Sequence, residues 1–347
     1  MAYTTINKGS SYFNTVTYTG TGVARDQTGV GFNPDWVWIK CRSNATTDNV
    51  LFDRVRTAGQ RLVSNDTGAE ETQTGIMSAF VTDGVTLGAG AASNGSGRTY
   101  VMWNWLANNT AGSSNTDGSR TSTVAANTTA GFSIVGYTGN STVGTVGHGL
   151  GVAPRMMIIK DRTSGAYNWT VYHASIGNTR RIILNSTAGQ DSANSVWWNN
   201  TSPTSTVFTI GTDNGANANG DSFIAYCFAE VKGYSKFNSY TGNGSTDGTF
   251  VYTGFKPAFI MTKRTDTTSA WWIYDNKRNP YNDPALYLNA NTSNAEIGLT
   301  SVLDSCSNGF KMRNTYTDLN ASGGTYIYMA FAENPFVSST QIPTTAR

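Results

Sequence analysis

Gly254-Phe255-Lys256-Pro257-Ala258-Phe259-Ile260-Met261-Thr262-Lys263 is the third writing of one phrase. The same order of residue types stands at Gly31-Phe32-Asn33-Pro34-Asp35-Trp36-Val37-Trp38-Ile39-Lys40 and at Gly151-Val152-Ala153-Pro154-Arg155-Met156-Met157-Ile158-Ile159-Lys160. In each copy a Gly precedes a Pro by three, an apolar run follows, and a Lys closes it. A phrase recurring at intervals above 100 residues marks a tandem repeat, so the chain is read as three copies of one unit.

Other landmarks keep step with it. Tyr18-Thr19-Gly20, Tyr137-Thr138-Gly139 and Tyr240-Thr241-Gly242 open the copies. The strand-like segments Thr99–Leu106, Ser222–Ala229 and Thr325–Ala332 close them. Tyr240 and Tyr137, Pro257 and Pro154, and Tyr326 and Phe223 are each 103 positions apart, whereas the first and second copies are 119, 120 and 123 apart at the same landmarks. The first copy is therefore the divergent one. A phrase ending in Asn, at 61–65, 181–185 and 285–289, lies between these landmarks.

Each Pro precedes a run rich in Trp, Val, Ile, Met and Phe, and Pro suits the start of a strand, where its missing N–H leaves no ladder bond unmade. Short strands separated by Gly, Asn and Asp, with no convincing helix, predict an all-β fold of three tandem antiparallel, jelly-roll-like β-sandwiches. The boundaries predicted are a first sandwich over 1–107, a polar linker or loop over 108–130, a second sandwich over 131–236 and a third over 237–347 with a C-terminal tail. In the closing strands Val101/Ile224/Ile327, Trp103/Tyr226/Met329 and Trp105/Phe228/Phe331 are large and apolar in all copies, which assigns that face to the sandwich core. The short connection between the second and third units and the longer one before the second predict a tight pair with a more separable first unit. The sequence leaves open whether the units form a line or close on themselves.

Composition narrows function. Charged residues are 13% and the formal net charge is +2, about half the usual ~25% charged, and no Lys/Arg run exceeds two. That disfavours nucleic-acid binding. The three cysteines, Cys41, Cys227 and Cys306, make neither a disulfide framework nor a CxxC site. The two histidines lack partners at metal-ligand spacing, so neither metal nor cofactor is expected. No apolar h-region opens the chain and no run approaches the ~18 apolar residues that span a bilayer, so neither export nor membrane insertion is expected. No P-loop, dinucleotide fingerprint or nucleophile elbow is present, and the lone carboxylates in the repeat columns do not form a facing pair for glycoside hydrolysis. A non-enzymatic protein is expected.

Several side chains stand out as contact candidates. Lys160, Lys263 and Arg264 belong to the most regular charges in the chain and suit either an edge-protecting role or contact with an acidic neighbour in an assembly. His173 falls in the column of Asp53 and Asp275, a shared strand-end position. In Trp197-Trp198 and Trp271-Trp272 adjacent residues on a strand point to opposite faces, so Trp198 and Trp272 are candidates for burial at an interface or for stacking on a sugar.

The phrases Gly136-Tyr-Thr-Gly-Asn140, His148-Gly-Leu-Gly-Val-Ala-Pro154, Tyr226-Cys-Phe-Ala-Glu230, Ser239-Tyr-Thr-Gly-Asn-Gly-Ser-Thr-Asp-Gly248 and Gly323-Gly-Thr-Tyr-Ile-Tyr-Met-Ala-Phe-Ala-Glu333 resemble a repeat family of structural proteins of tailed, mainly marine, bacteriophages. The resemblance covers residues 131–336 well and the first unit in outline. It implies a virion component assembled in the host cytoplasm, with other tail or capsid proteins as partners, a homo-oligomeric state and host-surface glycan as a further partner. It brings no catalytic residues. A compact tail-associated, fibre-type adhesin is the first expectation, a head decoration protein that stabilises the shell the second, and a polysaccharide depolymerase the third. Function is expected where the copies differ, in the loops after Asp53, His173 and Asp275.

Overall fold

The computed structural model describes residues 3–282, 285–338, 340 and 342. It is all-β, and one strand order is laid down three times. In the first unit the opening strand Phe13–Thr19 pairs with the closing strand Thr99–Trp105, which pairs with the post-proline strand Trp36–Cys41, followed outward by Val50–Asp53 and Gln60–Val63. The second unit repeats this with Phe132–Thr138, Ser222–Phe228, Met156–Asp161, Thr170–His173 and Ile182–Ile183. The third does so with Ser235–Thr241, Thr325–Pro335, Phe255–Arg264, Trp271–Asp275 and Leu286–Asn289. All these pairings are antiparallel. A smaller sheet lies over each large one: Arg25–Gln27, Gly84–Leu87 and Met77–Val81 in the first unit, Gly144–Gly147 with Val207–Ile210 in the second, and Phe250–Tyr252, Gly309–Met312 and Leu303–Cys306 in the third.

The prolines sit slightly differently from the expectation. Pro34 and Pro154 stand two residues before their strands, while Pro257 lies inside Phe255–Arg264 at a register shift. A bulge tolerates the missing N–H there. Gly31, Gly151 and Gly254 have φ of 86°, 74° and 84°, a left-handed turn that a side chain resists.

Helix is present as single turns among the described residues. Ala91–Asn94, Asn214–Asn217 and Thr317–Asn320 precede the closing strands, and Ser195–Trp198 belongs to the second unit alone. The three equivalent turns explain the Tyr-Thr-Gly phrase. Tyr18, Tyr137 and Tyr240 donate their hydroxyls to Ser93, Ala216 and Leu319 carbonyls at 2.7, 2.8 and 2.9 Å. Asn94, Asn217 and Asn320 accept from Thr21, Asn140 and Asn243 N–H at 2.9–3.0 Å. A Cβ on Gly20, Gly139 or Gly242 would stand 2.3, 2.2 or 2.3 Å from the carbonyl oxygen of Gly95, Ala218 or Ala321. Gly139→Ala is therefore expected to destabilise by about 1–3 kcal/mol through overpacking against rigid backbone. Denaturant unfolding of the variant checks this; an unchanged midpoint would show that the turn yields.

Two expectations change. The stretch 108–130 is not a free linker: Ser113–Asn115 and Ser122–Asn127 add two strands to the second unit's sheet, with Thr123 paired to Gly136 and Val124 and Ala125 buried. Its Thr/Ser/Ala composition hid these strands because they form a polar edge. The first unit is also not separable. The C-terminal tail expected after the third unit lies largely outside the described residues.

The face assigned to each unit's own core is instead a core common to all three. Val101, Trp103 and Trp105 join Ile224, Tyr226 and Phe228 and Ile327, Met329 and Phe331 in one cluster. Phe13 stacks on Phe331 at 5.0 Å, Trp36 on Tyr226 at 4.3 Å, and Phe228 meets Phe331 at 6.1 Å, so first touches third, first touches second and second touches third. The opposite parity fills the space between each unit's own two sheets, as with Tyr137 against Phe208 and Tyr328 against Phe310. Burial of several aromatic side chains at 1.5–3 kcal/mol each makes this shared core the main adhesive of the ring. The start of the chain straps the ring: Ile6 enters the common core and Tyr3 donates to the Gly254 carbonyl at 2.8 Å.

Candidate functional site

Most of the residues singled out by the repeat pattern meet at the junctions between units. Lys40, Lys160 and Lys263 are fully buried. Each crosses to the preceding unit of the ring: Lys40 donates to the Thr292 carbonyl at 2.9 Å, Lys160 to Thr67 at 3.0 Å and Lys263 to Thr187 at 2.8 Å. Burial lowers their pKa values from 10.5 to about 7, about 8 and about 8. One step along, Asn49, Trp169 and Trp271 donate to the carbonyls of Asn289, Val63 and Ile183 at 3.1, 2.8 and 2.9 Å. The same cycle of neighbours at every level closes the three units into a ring with approximate threefold character. It also corrects the third Asn phrase: Asn65, Asn185 and Asn291 play one part, accepting from the N–H of Asn49, Trp169 and Trp271.

The Asp53, His173 and Asp275 column lies at these junctions, and all three are buried. Asp53 accepts from the Tyr226 hydroxyl of the second unit at 2.8 Å, and Asp275 accepts from Trp103 Nε1 of the first at 2.9 Å. His173 accepts the Ser175 N–H at Nδ1 and turns Nε2 to the Tyr328 carbonyl of the third unit at 3.3 Å. That assigns the proton to Nε2, and burial lowers its pKa to about 4, so the ring is neutral.

Around two of these columns a buried ionic network forms. Arg56 binds Asp53 at 2.5 Å and Glu70 at 3.1 Å, and Arg162 of the second unit binds Glu70 at 2.8 Å. Arg278 binds Asp275 at 2.6 Å and Glu296 at 3.0 Å, and Arg42 of the first unit binds Glu296 at 2.8 Å. The third junction holds neutral residues instead. The backbone pairs Glu70 N to Arg162 O, Glu296 N to Arg42 O and Gln190 N to Thr265 O fix the equivalence, which makes Thr265, not Arg264, the partner of Arg42 and Arg162. Arg264 pairs locally with Asp266 at 2.8 Å and is only partly buried.

The sugar-stacking role does not suit the two tryptophans. Trp198 sits on a single helical turn, where neighbours diverge by about 100° rather than facing oppositely; it is buried edge-on against Tyr172 and donates to the Arg180 carbonyl at 2.8 Å. Trp197 is the outward one, with the Arg181 guanidinium 3.6 Å over its ring. Trp272 is buried and stacks on Tyr287 at 4.0 Å inside its own unit, while Trp271 makes the junction contact. Lys160, Lys263, His173 and Asp275 thus contact other parts of the same chain, with no charge left over for an acidic neighbour.

A cleft in the third unit was not among the sequence candidates. It has a volume of about 640 Å³ and lies between the start of Phe255–Arg264, residues 276–282 and the Leu303–Cys306 strand end. Its origin is visible by comparison with the first unit. There Arg54 binds Asp35 at 2.7 Å and lies 4.7 Å over the Phe80 ring. The bonds Arg54 N to Asp35 O and Asn276 N to Ala258 O are equivalent, as are the pairings Phe80↔Val85 and Ser305↔Phe310. Ala258, Asn276 and Ser305 therefore stand where Asp35, Arg54 and Phe80 fill the first unit. In the second, Ala174 replaces Arg54, and the turn bearing Trp198 packs on Tyr172.

The cleft is polar and electrically balanced. Lys256 pairs with Glu333 at 2.8 Å, and Asp304 with Arg313 at 3.3 Å. Asp275 lines one wall, but its carboxylate is held by Arg278 and Trp103. Asn276 Oδ1 is buried without a hydrogen-bond partner among the described residues, and Tyr281 at the rim is 81% exposed. Cys306 lines the cleft, and burial raises the pKa of its thiol. Among the described residues no group of three or more His, Cys, Asp or Glu is placed to hold a metal ion, and no helix is long and apolar enough to cross a membrane. The only sequence signal for this site is difference: the loop after Asp275 forms one wall, and its small residues are visible only once the three copies are in register.

A search among curated proteins finds no match to the chain. Residues 8–335, which span the three units, match one family, and the chain belongs to that family, a domain of unknown function designated DUF7483.

Proposed function

We propose that this protein is a non-enzymatic surface component of a tailed-phage particle that attaches to the host cell through the cleft of its third unit. The phrases at 136–154 and 226–248 support the phage reading by resemblance. The observation that carries the attachment role is the cleft: Ala258, Asn276 and Ser305 leave about 640 Å³ open in the third unit, against about 320 Å³ beside Arg155 and Glu230 in the second, in a ring whose other repeated side chains are spent on internal contacts. A closely packed ring with an open pocket suits recognition, since little conformational freedom is lost on binding.

Asn276→Arg with Ser305→Phe restores the first unit's Arg54 and Phe80 and is expected to plug the cleft while keeping the fold. Adsorption of the labelled protein to host cells should fall at least tenfold, with the unfolding midpoint nearly unchanged. Undiminished adsorption by the plugged protein would sink the reading.

The threefold ring favours a second reading, a head decoration protein seated on a threefold position of the shell. Immunogold labelling separates the two, because label on the tail supports attachment and label on the head shell supports decoration.

A further inference from the structure

We propose that the third unit's cleft binds an uncharged sugar ring, held by a buried amide oxygen and an exposed aromatic face; its use in host attachment rests on the reading above. Three features of the wall select this chemistry. First, the charged residues that line it are already paired: Lys256 with Glu333, Asp304 with Arg313 and Asp275 with Arg278. An anionic ligand such as a phosphate or a sialic acid would meet no unpaired cation there, and a cationic one no unpaired carboxylate.

Second, Asn276 Oδ1 is buried and has no hydrogen-bond partner among the described residues. A buried carbonyl oxygen without a donor costs about 1–3 kcal/mol, so the Asn276 amide gains by turning into the cleft, where a ligand hydroxyl can donate to it. Third, Tyr281 exposes its ring at the rim. A pyranose has hydroxyls around its edge and an apolar C–H face, so one ring can satisfy the amide and cover the tyrosine together. At about 640 Å³ the cleft falls within the ~300–1,000 Å³ common for small-ligand sites, enough for a short oligosaccharide.

The test uses the full chain on an array carrying neutral hexose and N-acetylhexosamine oligosaccharides beside sialylated and phosphorylated ones, followed by calorimetric titration of the best neutral glycan. Binding is expected among the neutral glycans. Tyr281→Ala and Asn276→Leu should each weaken it about five- to tenfold, the loss of roughly one contact apiece, and Asn276→Arg with Ser305→Phe should abolish it. Binding only to charged glycans, no binding at all, or neutral binding untouched by the plugged variant would overturn the assignment. If the plug blocks cell adsorption and neutral glycans neither bind nor compete, attachment stands and the ligand class falls. If neutral glycans bind in the cleft and the plug leaves adsorption intact, the ligand class stands and attachment falls.

Discussion

Replacing Arg56 by Ile is expected to cost about 3–5 kcal/mol of stability, the largest single-residue effect in the ring. Arg56 is buried and spends its N–H groups on Asp53, Glu70, the Leu51 and Gln60 carbonyls and the Tyr226 hydroxyl. Removing it strands Asp53 in the interior with only Tyr226 and a backbone N–H for partners, and leaves Glu70 to Arg162 alone. The protein itself supplies the control. At the junction of the second and third units the corresponding positions are His173, Ile176, Gln190, Thr265 and Met329, a neutral set. Grafting it as Asp53→His, Arg56→Ile, Glu70→Gln, Arg162→Thr and Tyr226→Met should bring stability back to within about 1–2 kcal/mol of the parent, because a buried ionic group replaced whole is often nearly neutral. Urea unfolding of the parent, the single and the fivefold variant decides it. If the fivefold variant is no more stable than Arg56→Ile, the two kinds of junction are not interchangeable.

The same network shows where sequence reading stops. The strands were legible because every unit needs the same Pro, the same apolar runs and the same closing strand, and three copies reinforce one another. Their partners were not. Across the junctions Lys40, Lys160 and Lys263 end on backbone carbonyls, which every residue possesses, so nothing in the sequence marks the acceptor. Arg42 and Glu296 lie 254 positions apart, and the Glu70, Gln190 and Glu296 column appears only after the third Asn phrase is moved by two residues to Asn291. Both faces of the closing strands carry large apolar side chains, so periodicity could not tell a core within a unit from a core between units. The cleft was hidden for the opposite reason. It is made by what is missing at Ala258, Asn276 and Ser305, three residues on separate segments that acquire meaning only beside Asp35, Arg54 and Phe80.

Stability of the ring is expected to increase as pH rises from about 7 to about 9, opposite to what loss of surface ion pairs would give. The sign follows from the three junction lysines. Burial lowers their folded pKa values from 10.5 to about 7, 8 and 8. Between those values and 10.5 the unfolded chain therefore binds more protons than the folded one, so raising the pH favours folding. Each lysine contributes on the order of 1.4 kcal/mol per pH unit within its window, fully expressed above the unfolded pKa and lost as pH falls toward the folded one. Cys41 and Asp48 near Lys40, Asp161 and Asp66 near Lys160 and Asp318 near Lys263 oppose the shift without cancelling it, while Arg278 near Lys40 acts in the same direction as burial. The upper limit is set by groups raised by burial, the Cys227 thiol and the hydroxyls of Tyr226, Tyr234 and Tyr240, which withdraw stability once the unfolded chain begins to lose those protons. A maximum near pH 9 results. Lys40→Met with Lys160→Met and Lys263→Met removes the ionisable group from all three junctions and should flatten the rise between pH 7 and 9. Urea midpoints at half-unit pH steps check both curves. A parent whose midpoint falls steadily over that range, or a triple variant that keeps the full rise, would show that the buried lysines are not the groups setting the pH response.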